Sequence, residues 1–90
     1  MMYPFLTLDD NTEIVHSEMR EDGTVKVYLE KPDEKDCFHY GSCILPGYDW
    51  TEVFGFAQAD LQRYEEVLRS TAHLILQFSQ EEGFESASSF

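Results

Sequence analysis

Ninety residues with eighteen acidic and six basic side chains carry a formal charge of −12. That balance excludes direct nucleic-acid binding by phosphate neutralisation and adhesion to an anionic membrane surface. A hydrophobic share of 42% and an aromatic share of 14% suffice for a core, and a chain of this length leaves no room for two.

Tyr3 to Leu8 reads as a short strand, stopped by the turn-forming run Asp9-Asp10-Asn11. Glu13 to Arg20 predicts a second strand and Thr24 to Glu30 a third. In the third, Val25, Val27 and Leu29 alternate with Lys26, Tyr28 and Glu30. The charged run from Lys31 to Asp36 predicts a turn, because Pro32 removes a ladder donor. Cys37 to Leu45 predicts a fourth strand, stopped by Pro46-Gly47. The stretch from Gly47 to Phe56 reads as irregular and aromatic.

A helix is predicted from Ala57 or Gln58 to about Glu82. Its apolar stripe is Leu61, Tyr64, Leu68, Ala72 and Ile75. Asp60 suits the helix N-terminus, Glu65 and Arg69 form an oriented i,i+4 pair, and Gly83 is placed to end the helix with Phe84 folding back on Phe78. The expected fold class is α+β: a four-stranded, mainly antiparallel β-meander (ββββα) with one long C-terminal helix packed on one face. Residues 1–83 form the single domain, and 84–90 read as a polar, disordered tail.

The turn between the second and third strands allows a register argument. A two-residue Asp22-Gly23 turn would set Val27 opposite Glu18. A three-residue loop, Glu21-Asp22-Gly23, with Gly23 left-handed, slips the pairing by one. Met19, Ser17 and Val15 then face Val25, Val27 and Leu29 on the inner side. On the outer side Glu18 meets Lys26 and His16 meets Tyr28. This second register is the expected one.

Cys37 and Cys43 lie six positions apart in one strand, or roughly 20 Å at about 3.3 Å per residue, too far to bridge. Reduced thiols fit a cytoplasmic protein. The opening Met1-Met2-Tyr3-Pro4 has no basic start of a signal peptide, and no apolar run reaches the roughly 18 residues of a membrane helix. His39 shares a strand face with both cysteines, but alternate residues of one strand diverge rather than converge on an ion. No metal, cofactor or catalytic residue is expected. Adjacent acids such as Asp9-Asp10 and Glu65-Glu66 read as solvated surface charge.

Two candidate binding regions remain. The segment from Tyr48 to Phe56 is aromatic and acidic, and Tyr48, Asp49, Trp50, Glu52 and Phe54 form a candidate partner anchor. The competing structural reading has Trp50, Phe54 and Phe56 closing the end of the core. The second region is the sheet face left bare by a single helix, carrying His16, Glu18, Tyr28 and Tyr40. A homodimer or another protein is expected to cover it, the homodimer being favoured.

The expected function is a small acidic non-enzymatic protein-binding module. An inhibitor or antitoxin-like protein that masks a basic nucleic-acid-binding partner has this charge profile. The alternative is a homo-oligomeric small-ligand-binding or accessory domain.

Overall fold

The computed structural model describes residues 2–33, 35 and 37–84. Among them, strands β1 (Met2–Thr7), β2 (Glu13–Ser17), β3 (Val25–Asp33), β4 (Cys37–Leu45) and β5 (Asp49–Phe54) form one sheet, followed by helix α1 (Gln58–Phe84). The strands lie side by side in chain order, each antiparallel to the next. The α+β meander is therefore as expected, with five strands in place of four.

The fifth strand comes from the segment read as irregular. Ser42 pairs with Thr51 and Tyr40 with Phe54, so Glu52 and Val53 together oppose Gly41. Glu52 takes a left-handed φ of 53° at this bulge. The extra residue breaks the period-2 alternation by which a strand is recognised. β3 also runs further than expected, with Pro32 opposite Phe38. Lys26 N–H points toward β2, where Ser17 Oγ accepts it, and every second residue of a strand points its N–H the same way. Pro32 thus has its missing donor on the β2 side, beyond the last β2 pair, Glu13 with Glu30.

The register of β2 differs from the expected one by a residue. Ile14 faces Leu29, Val15 faces Tyr28 and His16 faces Val27. The loop itself is the one expected: Arg20 N–H donates to Thr24 O, Gly23 N–H donates to Arg20 O, and Gly23 has φ 83°. A second irregularity follows, in which Glu18 and Met19 take up the space opposite Val25. Met19 N–H leaves the ladder and donates to Ser79 O on the helix at 3.3 Å. One extra residue exchanges the two faces of a strand. His16 is therefore 2% exposed, in the core layer, while Val15 points to the open side. The expected pairs Glu18–Lys26 and His16–Tyr28 do not form.

One face of the sheet packs on α1. Ile14, Val25, Val27, Leu29, Cys43 and Leu45 meet Tyr64, Leu68 and Ile75, with Trp50, Phe56 and Met19 at the margin. The helix starts where Asp60 Oδ2 reaches back to accept the Ala57 N–H at 2.9 Å, one half of a capping box. It continues through Gly83, which does not end it. The Phe84 side chain and the tail from residue 85 onward lie outside the described residues. None of the described helices is long and apolar enough to cross a membrane.

Candidate functional site

The β4 alternation sends Gly41, Cys43 and Leu45 toward the helix and Phe38, Tyr40, Ser42 and Ile44 to the opposite face. No element covers that opposite face among the described residues. Tyr28 of β3, Tyr40 of β4 and Phe54 of β5 form a row across it. Tyr28 and Tyr40 have ring centroids 6.3 Å apart at 30°, and Tyr40 and Phe54 stack at 5.4 Å and 22°. Phe54 is 48% exposed and Phe38, two residues before Tyr40, is 47% exposed. These are large apolar areas to leave in water.

Charge surrounds the row. Lys26 Nζ reaches across β4 to Glu52 Oε1 at 2.9 Å, and the side chain of Ser42, on the strand between them, is buried. Tyr28 OH donates to Glu30 Oε1 at 3.4 Å. Burial, then the Glu30 carboxylate, Tyr40 and Glu52, hold the Tyr28 phenol above its ordinary range. Asp49 adds an exposed carboxylate at the β5 end. Lys26 is thus already paired, and the rim is predominantly acidic.

The residues expected to form one anchor divide between the two faces. Tyr48 lies on the helix side, its ring 4.1 Å under the Arg69 guanidinium. Trp50 also lies on that side, its Nε1–H donating to Glu65 Oε1 at 3.2 Å. Trp50, Val53 and Phe56 fill the space over Gly41, where a side chain is missing. Asp49, Glu52 and Phe54 are exposed, and Phe54 joins the aromatic row instead of closing the core. Of the residues expected on the outer face, Tyr28 and Tyr40 are there. His16 is not: its ring lies among Tyr3 and Phe5, with Nδ1 donating to Ser17 O at 2.9 Å. Glu18 lies beyond the end of β2, where Tyr3 OH donates to its Oε1 at 2.8 Å and lowers its pKa.

A polar cluster that the sequence did not reveal ties the β1–β2 loop to α1. Asp10 Oδ1 accepts the Thr12 N–H at 3.0 Å, and Oδ2 accepts from Tyr64 OH at 3.2 Å and Arg63 Nη2 at 3.1 Å. Thr12 Oγ1 lies 3.0 Å from Tyr64 OH, both side chains fully buried. Asp10 is a structural hub rather than solvated charge. The Asp-x-Thr turn is a local signal, but its helix partners Arg63 and Tyr64 lie more than fifty residues away.

Cys43 is free and buried under the helix. Burial pushes its thiol up to about 12, with Glu65 and Asp49 adding to the shift and Arg69 opposing it. Such a thiol is a poor nucleophile at neutral pH. Among the described residues no three of His, Cys, Asp and Glu converge to hold a metal ion.

No protein-family model matches this chain, and comparisons with curated proteins and with solved structures give no significant match.

Proposed function

We propose that this chain is a small, non-enzymatic, cytoplasmic protein-binding module whose open sheet face docks on a basic surface of another protein, of the kind that binds nucleic acid. The row Tyr28–Tyr40–Phe54, flanked by Phe38 and rimmed by carboxylates, carries the reading. Aromatic side chains supply apolar contact area at low entropic cost, and the surrounding charge steers a basic partner into place. The sheet edges favour docking by the face. β1 contains Pro4 and an irregularity between Pro4 and Leu6, while β5 carries the Glu52 bulge; such devices oppose strand addition at an edge.

Two copies joined through this face would bring two acidic rims together, each from a chain of charge −12. A basic partner removes that repulsion, so it is preferred to the homodimer.

The test is capture of basic nucleic-acid-binding proteins by the immobilised chain at low salt, with a Tyr40→Ser/Phe54→Ser variant in parallel. A partner retained by the parent chain, lost from the variant and released by roughly 0.3–0.5 M salt supports the reading. Equal retention by both chains refutes docking through the face, and sedimentation as a dimer would select the homodimer.

A further inference from the structure

A separate cleft of about 420 Å³ opens on the helix side, lined by Trp50, Gln58, Leu61, Gln62, Glu65 and Glu66. The volume falls within the roughly 300–1,000 Å³ usual for small-ligand sites. We propose that this cleft receives the guanidinium group of an arginine side chain from a basic protein. The proposal rests on the reading above for the basic character of what this chain binds. The cleft and the docking face lie on opposite sides of the sheet, so one contact does not require the other.

The lining residues of α1 are spaced i, i+3, i+4, i+7 and i+8, one face of a helix. This face flanks the buried stripe of Tyr64, Leu68 and Ile75, and four of its five positions carry a carboxylate or a carboxamide. All four accept hydrogen bonds, and no basic side chain lines the cleft. Arg69 is the nearest compensating cation. It bonds to Glu65 Oε2 through Nε at 3.1 Å and Nη2 at 3.0 Å, and its guanidinium lies over Tyr48. Glu65 therefore carries one internal charge pair, and Glu66 brings a second carboxylate to the lining.

Trp50 forms one wall of the cleft. Trp50 is the single tryptophan of the chain. Its indole is held by the Nε1–H bond to Glu65, so the ring is positioned before any ligand arrives. Indole is the preferred aromatic partner of a cation, and a planar guanidinium both stacks on a ring and forks onto carboxylate oxygens. An ammonium group can satisfy the charge but not the plane. Glu65 and Glu66 lie two turns inside α1, past the reach of the positive helix terminus, which fades within the first turn.

The lone tryptophan supplies the measurement. The parent chain is titrated with the blocked peptide acetyl-Gly-Arg-Gly-amide at constant ionic strength, following Trp50 emission, with lysine and citrulline peptides alongside. A saturable change with arginine, weaker with lysine and absent with citrulline, is expected. Glu66→Gln, an exposed substitution whose folding circular dichroism checks, should weaken arginine binding by roughly two- to fivefold, the size of one exposed charge pair. No saturation with arginine, or equal responses to arginine and citrulline, overturns the proposal. Lysine matching arginine overturns the guanidinium assignment, and an unaffected Glu66→Gln variant overturns the site. Peptide failure beside face-dependent capture of a basic protein removes the cleft and leaves the docking face standing. Peptide binding without any such capture does the reverse.

Discussion

The ring of Phe54 stacks on that of Tyr40 at 5.4 Å, across the bulge that places Glu52 and Val53 opposite Gly41. With a regular ladder continued from Ser42 and Thr51, Val53 would face Tyr40 instead. The bulge therefore does two things at once. It returns Phe54 to the open face beside Tyr40, and it sets the Glu52 carboxylate where Lys26 can reach it.

Because Phe54 is half in water, its replacement should separate binding from folding. Phe54→Ser forfeits an exposed aromatic pair of about 0.5–1.5 kcal/mol, so urea denaturation should show a loss of about 1 kcal/mol and an unchanged slope. Partner retention, by contrast, should fall at least about tenfold if the row is the centre of an interface. A stability loss above about 3 kcal/mol would show Phe54 to be a core residue in solution.

Most of the architecture was legible because it rests on local pattern. The β3 alternation, the β4 limits and the helix start all follow from period, proline and capping chemistry. What escaped depends on contacts distant in sequence. Met19 N–H bonds to Ser79 O, sixty residues away, and this diversion shifts the β2 register and turns His16 inward. β5 escaped because a left-handed Glu52 disrupts its alternation. Of the candidate site, Tyr28 and Tyr40 were legible from strand parity alone. The union of Phe54 with them, and the departure of Trp50 to the other face, required knowing where the bulge falls.

Gly55 should tolerate no side chain. It holds φ 84°, and a Cβ there would lie 2.3 Å from His39 Cδ2. Gly55→Ala is expected to cost about 1–2 kcal/mol for the left-handed backbone and about 1–3 kcal/mol for overpacking against the His39 ring. Gly55→Ala in a His39→Ala background should retain only the first part. A double-mutant cycle by urea denaturation measures the coupling, and strictly additive losses would contradict the clash.

Cys43 should resist alkylation in the folded protein. With its thiol near 12, about one in ten thousand is ionised at pH 8, and the side chain is fully buried. Iodoacetamide labelling, located at Cys43 by mass spectrometry, should be slow in native buffer and rapid in urea. Fast native labelling at this position would restore a nucleophilic role.

Asp10 should make the fold acid-sensitive. Burial raises its pKa, but the hydroxyl and amide of Thr12, the Tyr64 hydroxyl and the Lys31 charge outweigh it, and the net shift is downward. A carboxyl with a lower pKa folded than unfolded binds its proton more tightly in the unfolded chain. Its contribution is thus complete above the unfolded value, near 4, and is lost as the pH falls through the folded value. Denaturation of the parent chain at pH 6 and pH 3 should show a drop in stability to which Asp10 contributes. Asp10→Asn removes the titrating group and keeps an oxygen for the Thr12 N–H, but sets an NH2 where the second oxygen accepts from Tyr64 and Arg63. It should therefore be less stable at pH 6 and lose less between the two pH values. An equal drop in both proteins would mean that the loop is held without the Asp10 charge, by the buried Thr12–Tyr64 contact alone.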